Sequence, residues 1–455
     1  MNTLKTSLLL GIGGVGMRSL AALMHQQGIR IIGYDRDLSN PVIQRLKDLN
    51  IDIYDETIPM DQLKDIQEVI TSTAVEDQNP VYRAIQALKM PILHRSQKLL
   101  ELIMPYKKVL AVCGTSGKST VTALLAHVLD ACGYDADCYV GADRLDVHYC
   151  LQFGARFSGS YQYMVLETDE SDKSLLNFHP QIAFLTNIGQ DHYPEQELLD
   201  TFQKFANQVQ EEFWVCVDAL SDRIQHSNRI TVSMQGKADF IIHDVKLFAD
   251  QSIFKINCMA FEISQPGLHS VWNAGLVASY AMYHQIKPAA INAALKTFTG
   301  LSRRFTVIPV SNHRRIIDDY AHNPNKIGSA IQTCHLNDAP LLVIFQPHGY
   351  GPLKLQWAEL IKIFLQTLKP HDRLLLLPVY DKGGTADRTI NSQIFLDAIQ
   401  QQAGNFEVKL LSSLDEVLQN FSTVTLNIKQ ILVLGARNSM MGQFCQQLSQ
   451  AWEKC

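Results

Sequence analysis

AVCGTSGKSTVTALLAHVL, residues 111–129, decides how the chain is read: an apolar run ends at a glycine turn, and Lys118, Ser119 and Thr120 then open a helical stretch. Gly114 and Gly117 permit a turn in which main-chain amides at a helix start face an anion; a lysine adds charge, and a hydroxyl can hold Mg²⁺. The strict phosphate-loop spacing G-x-x-x-x-G-K-[ST] would need glycine at position 112, where Val112 stands. Gly-Lys-Ser can fall at a helix start by chance. Strand, loop and helix in this order point instead to a bound nucleoside triphosphate, and ATP is the ligand expected.

A second glycine turn lies upstream in GIGGVGMRSLAALMHQQGIRIIGYD, residues 11–35. Gly11, Gly13 and Gly16 fit G-x-G-x-x-G, which allows a tight turn and close approach of an anion to the amides at the next helix start. Asp35 ends the second strand, where an acid could bond a ribose hydroxyl. Tightly packed βαβ turns favour glycine in any case, and a nicotinamide is only one candidate ligand.

Apolar strands alternate with amphipathic helices through most of the 455 residues, the pattern of parallel α/β sheets, and this length suits two or three cores. IRIIGYD, EVITSTA and MPILHR read as strands of a Rossmann-like N-terminal unit, residues 1–105, with NPVIQRLKDLN as a helix between them. A fresh strand before the second glycine turn opens a central P-loop ATPase-type parallel sheet, residues 106–299, continued by YMVLET and QIAFLTNI. A third alternation, RRIIDDYAHNP, PLLVIFQP, DRLLLLPVY and QILVLGA, gives a C-terminal Rossmann-like α/β unit, residues 300–455. A net charge of -5 without a long basic run gives no support for nucleic-acid binding, and nine cysteines without a C-x-x-C pair read as reduced thiols. MNTLKTSLLLGIGGVG reads as a strand running into a turn, not as a signal peptide, and no stretch approaches the roughly 20 apolar residues of a membrane helix. A cytoplasmic protein is expected.

The GTSGKST form of the second loop, without its first glycine, resembles that of the Mur ligases, which form amide bonds at the expense of ATP in peptidoglycan precursor synthesis. Further segments are similar to the family's motifs in the family's order: GIGGVGM, LETDESDKSLL, TNIGQDH, HSVWNAGLVA, GLSRRF, DDYAHNP and FQPHGY, with LVLGARNS a weaker match. They resemble its alanine-adding branch in particular. The resemblance implies that the first loop, through Gly13, Gly14, Val15 and Gly16, holds the diphosphate of a UDP-linked sugar carboxylate. Asp35, Ser72, Thr73, His94 and Arg95, at later edges of the same unit, would help. Gly114, Thr115, Gly117, Lys118, Ser119 and Thr120 would cradle ATP, with Lys118 on the β and γ phosphates. Ser119, Glu167 and His192 would bind Mg²⁺ or Mn²⁺, and Asn273 the adenine. Arg304 would reach the γ-phosphate, Asp319 and His322 would orient ATP, Tyr320 and Tyr350 would face the substrates, and Lys118, Glu167, His192, Arg304 and His348 would form the catalytic set. Arg303 is read as an ordinary surface charge.

By the same resemblance, γ-phosphate transfer makes an acyl phosphate, and an amino acid or short peptide attacks it through its amine. The branch normally carries two arginines after F-Q-P-H for the incoming amino acid. Here HGYGPLK places Gly349 and Pro352 at those positions, with Lys354 nearby. Ser116 replaces a histidine of the ATP loop. Two further readings stay open: the same chemistry on a specialised carboxylate outside the cell wall, and a nucleotide-binding paralogue without turnover. The resemblance implies no membrane or nucleic-acid partner, and a monomer or homodimer.

Overall fold

The computed structural model describes residues 6–56, 58–73, 75, 79–143, 153–189, 193–218, 220–381, 387–402, 405–436 and 438–454. Their strands form three sheets in an α/β fold. In the first, Thr6–Leu10 (β1), Arg30–Tyr34 (β2), Asp52–Tyr54 (β3), Ile66–Thr71 (β4) and Ile92–His94 (β5) run parallel in the order β3-β2-β1-β4-β5. Leu8, Leu9 and Leu10 are 0% exposed, because a central parallel strand is covered on both faces and must be apolar throughout. Chain order reverses beside β1, so a crevice opens at its C-terminal end, where Gly11–Gly14 turns into the helix Val15–Gln26.

The second sheet comprises Lys108–Cys113 (β6), Ala136–Tyr139 (β7), Ala155–Arg156 (β8), Tyr163–Glu167 (β9), Ile182–Leu185 (β10), Glu212–Cys216 (β11), Arg229–Ser233 (β12), Phe240–Leu247 (β13), Ser252–Ile256 (β14) and Met259–Ile263 (β15). Its order, β15-β14-β13-β12-β11-β10-β6-β9-β7-β8, again reverses chain order beside the strand that feeds the glycine loop, β6. Register sets Val112 opposite Glu167 and Cys113 opposite Leu185, so the ends of β9 and β10 flank that loop. The third sheet holds Thr306–Val310 (β16), Arg314–Asp319 (β17), Leu341–Phe345 (β18), Arg373–Leu376 (β19), Glu407–Leu410 (β20) and Gln430–Leu434 (β21), in the order β16-β17-β21-β18-β19-β20. Only its edge pair β16–β17 is antiparallel. No helix among the described residues is long and apolar enough to cross a membrane.

Two compact units divide the chain: the residues up to Asp244 with Phe254–Phe261 and Trp272–Thr299, and Val245–Ile253 with Glu262–Val271 and the residues from Gly300. Within the first unit, one apolar cluster takes in Leu20 and Leu23 of the helix Val15–Gln26, Leu99 and Leu102 of the helix Arg95–Ile103, Tyr139 and Ala155 of the second sheet, and Leu175 of the short 3-10 helix Ser174–Asn177. The first and second sheets therefore share a core. Tyr106 ties the segment between them: its hydroxyl donates to Asp137 Oδ2 at 2.7 Å, while the Ser158 amide donates to Oδ1 at 2.7 Å. Burial raises the Asp137 pKa, and these bonds from Tyr106 and Ser158 oppose the rise. Tyr106→Phe, which leaves that buried oxygen without its donor, is expected to cost about 1–3 kcal/mol in urea unfolding. A loss below about 0.5 kcal/mol, the level of an ordinary surface change, would show that the bond does not hold the segment.

Candidate functional site

The turn after β6 is built so that only glycine fits at two points. Gly114 has φ 130°, and a Cβ there would stand 2.2 Å from Thr186 Oγ1. Gly117 has φ 85°, and its Cβ would stand 2.7 Å from Asn273 Oδ1. The segment after β10 holds the loop in shape. The Ser116 amide donates to Asn187 Oδ1 at 3.0 Å, Asn187 Nδ2 donates to the Ser116 carbonyl at 2.9 Å, and the Thr115 amide donates to the Asn187 carbonyl at 3.1 Å. Thr186 Oγ1 donates to the Ser116 carbonyl at 2.6 Å. The helix Lys118–Ala131 then starts with Lys118, Ser119 and Thr120 in its first turn, the arrangement in which free amides and the helix dipole favour an anion.

Acids surround that turn. Lys118 Nζ contacts Glu170 Oε2 at 2.5 Å; burial works against its charge, but Glu170, Asp169 and Glu167 outweigh burial and raise its pKa. Ser119 Oγ donates to Glu167 Oε1 at 2.9 Å, and the other oxygen of Glu167 accepts from the Gly141 amide at 2.7 Å. A hydroxyl beside a carboxylate is an all-oxygen donor pair, which suits Mg²⁺ where phosphates and water complete the shell. No group of three or more His, Cys, Asp or Glu able to hold a metal occurs among the described residues. His192 lies outside them; its neighbour Tyr193 donates to the Ser171 carbonyl at 2.8 Å.

The first glycine loop backs onto the same wall. The Gly14 amide donates to the Gly11 carbonyl at 3.0 Å, and Gly16 faces Arg95, whose Nη1 would stand 3.3 Å from a Cβ there. Tyr139, at the end of β7, donates its hydroxyl to the Gly16 carbonyl at 2.9 Å, and burial pushes its pKa up to about 12. Ser19 Oγ donates to the Val140 carbonyl at 3.1 Å, and Val15 lies against Gly141. The Tyr139–Gly141 segment thus touches the first loop's helix on one side and Glu167 on the other. Asp35 braces the loop, accepting the Gly13 amide at 2.8 Å and the Asp37 amide at 3.1 Å. Arg95 turns to the acids: Nη2 lies 2.6 Å from Asp172 Oδ2 and 3.3 Å from Asp169 Oδ2. His94 caps the helix Arg95–Ile103, its Nδ1 2.7 Å from Ser96 Oγ; burial, with the Arg95 charge, lowers its pKa. The Ser72 carbonyl accepts from the Val75 amide at 3.1 Å, and Thr73 is exposed.

In the second unit, the C-terminal edge of the third sheet gathers Arg304, Asp319, Tyr320, His322 and His348. The Asp319 carboxylate accepts the Phe305 amide at 2.7 Å and the Ala321 amide at 2.6 Å; burial lifts its pKa to about 6 against the pull of Arg304. The Tyr320 ring lies 5.0 Å from the Arg304 guanidinium, and the His322 and His348 rings meet at 4.7 Å. Arg303 is no free surface charge. It pairs with Asp318 at 3.3 Å and donates to the carbonyls of Gly435, Ala436 and Asn438, fastening the loop after β21. Gly349 has φ 157° and ψ 155°, a combination that suits glycine and that an arginine there would strain. Lys354 pairs with Asp387 at 2.9 Å, and Arg388 lies over the Tyr350 ring at 5.7 Å while it binds Asp381. Tyr139 and Arg303 are the residues sequence reading missed; neither stands in a glycine loop, and each acts through main-chain carbonyls that no motif records.

Three family profiles match in succession: the Mur ligase family catalytic domain over residues 9–107, the Mur ligase middle domain over 112–282 and the Mur ligase glutamate ligase domain over 303–448. The UDP-N-acetylmuramate–L-alanine ligase of Thermosynechococcus vestitus is 33% identical, over 84% of this chain and 83% of that one. Its namesake from Carboxydothermus hydrogenoformans is 30% identical, over 94% and 93%. Among solved structures, a UDP-N-acetylmuramate–alanine ligase from Thermotoga maritima shares the fold with TM-score 0.82 at 22% identity, covering 99% of each chain. A murein peptide ligase from Psychrobacter arcticus does so with TM-score 0.72 at 20% identity, again covering 99% of each.

Gly117→Ala is expected to cost about 1–2 kcal/mol for the left-handed backbone alone, plus a further amount for the collision with Asn273. In an Asn273→Gly background the collision is gone, so the cost of Gly117→Ala should shrink; equal costs in the two backgrounds would refute the contact. A second expectation concerns His269, whose ring lies beside Phe305 and whose pKa burial lowers to about 4. Its folded value is depressed, so its contribution is complete above pH 6.5 and is lost as pH falls toward 4, by about 3 kcal/mol at most. Unfolding followed from pH 7.5 to 4 should therefore show the wild type losing stability relative to His269→Asn; a constant difference would contradict the shift.

Proposed function

The chain belongs to the Mur ligase family, and from that membership we propose that it joins a UDP-N-acetylmuramate-like carboxylate to the amine of an amino acid or short peptide, with ATP converted to ADP and phosphate. The three sheets are read as parts of a sugar-nucleotide domain over residues 1–105, an ATP domain over 106–299 and an amine domain over 300–455. One observation supports the reading most: the Tyr139–Gly141 segment is bonded to the first glycine loop's helix through Gly16 and to the ATP loop through Glu167 and Ser119. A sugar carboxylate whose diphosphate occupies the first loop would then lie next to the γ-phosphate, as transfer between bound reactants requires.

In this reading the amides of Gly13–Gly16 hold the diphosphate, and Lys118 leaves Glu170 for the β and γ phosphates. Ser119 and Glu167, with His192, would hold Mg²⁺, which when bound would neutralise phosphate charge. The carboxylate oxygen attacks the γ-phosphorus and ADP departs. The amine then attacks the acyl carbon, loses a proton and expels phosphate. Charge grows between anions in both steps, so fixed amides and cations supply much of the stabilisation. Arg304, backed by Asp319 and stacked on Tyr320, supplies a guanidinium from the amine domain, and His322 and His348 lie on that edge. Without arginines at Gly349 and Pro352, and with Lys354 paired to Asp387, the amine's own carboxylate has lost its usual fork, and a donor other than L-alanine fits this loop.

The test is phosphate release from Mg-ATP with UDP-N-acetylmuramate and a panel of amino acids and short peptides, with product masses recorded. One amine giving a product of the condensed mass is expected, and Lys118→Ala should lower its rate roughly 10²–10³-fold. Release without any condensed product would overturn the reading.

A further inference from the structure

We propose that Arg95 is a positioning residue that lets the two phosphate loops be filled together, as a shared counter-charge between two anionic ligands. The inference rests on the reading of the first loop as a diphosphate site. Arg95 opens the helix that follows β5, and its side chain is 15% exposed. One face of its guanidinium runs along the first turn of the helix Val15–Gln26, within 3.3 Å of the space a Gly16 side chain would take. The other edge holds Asp172 at 2.6 Å and Asp169 at 3.3 Å. Asp169 in turn acts on Lys118, the cation of the ATP loop.

Charge makes this position consequential. Glu167, Asp169, Glu170 and Asp172 lie within six residues of one another, and among the described residues Lys118 pairs with Glu170 while Arg95 pairs with Asp169 and Asp172. A triphosphate at one loop and a diphosphate at the other add negative charge on both sides of this group. In a partly buried setting that repulsion is weakly screened, so it would make each ligand weaken the other. A guanidinium between them offsets it, and its planar fork lets one side chain face both directions. Asp172 fixes Arg95 in that intermediate place. Without this tether the guanidinium is free to turn wholly to the diphosphate.

Calorimetric titration of the full chain with Mg²⁺ and a nonhydrolysable ATP analogue, with and without saturating UDP-N-acetylmuramate, gives the ratio of the two affinities. In the wild type the sugar nucleotide is expected not to weaken the analogue. In Arg95→Gln the ratio should fall roughly tenfold, as for a typical coupling between sites, while Arg95→Lys retains most of it. Asp172→Asn should also lower the ratio, although it changes net charge in the opposite direction; a simple net-charge effect would leave the ratio unchanged and tighten both ligands. A structural role would weaken each ligand alone and spare the ratio, and that result in folded Arg95→Gln or Asp172→Asn overturns the inference. Failure of the wild type to bind UDP-N-acetylmuramate would overturn the reading of the first loop as well.

Discussion

Both oxygens of one carboxylate, Glu167, are committed: one to the Ser119 hydroxyl at the start of the helix after the second glycine turn, the other to the Gly141 amide at the end of the neighbouring strand segment. That acid sits at the last position of β9, directly opposite Val112 in the parallel register. Through Ser119 it sets the start of the helix that follows the loop. Through Gly141 it sets Tyr139 and Val140, which carry the first helix and its glycine turn. Two glycine loops more than ninety residues apart in sequence are thereby referred to a single side chain.

Much of this was legible in the sequence. Glycine turns after apolar runs, the Gly-Lys-Ser-Thr helix start and the alternation of strands and helices report local backbone requirements, and local requirements are written in consecutive residues. The strands β13–β15 carried no motif and were not singled out. Asp35 shows a different limit: its place at the end of β2 was evident, but its oxygens are occupied by the Gly13 and Asp37 amides, a bond choice that depends on how the loop closes. Arg303 was read as an ordinary surface charge. Only the fold brings the carbonyls of Gly435, Ala436 and Asn438 to it, more than a hundred residues along the chain.

The C-terminal edge of the third sheet combines motif residues similar to the family's with altered ones. Arg304, Asp319, Tyr320 and the two histidines form a connected cluster whose acid is bonded by two amides. In the loop after β18, Gly349 takes a backbone conformation that a branched or long residue resists. The nearby cations Lys354 and Arg388 are engaged by Asp387 and Asp381.

The shared apolar cluster of the first and second sheets has a consequence for how the chain comes to be folded. Leu20, Leu23, Leu99 and Leu102 complete their burial against Tyr139, Ala155 and Leu175, residues made later in synthesis. An N-terminal piece ending at the linker would leave that leucine face in water, at a cost of roughly 25 cal/mol for every Å² left uncovered. The first sheet is thus poorly suited to independent existence on the ribosome or as an excised fragment, and the two sheets are expected to open and close as one cooperative block.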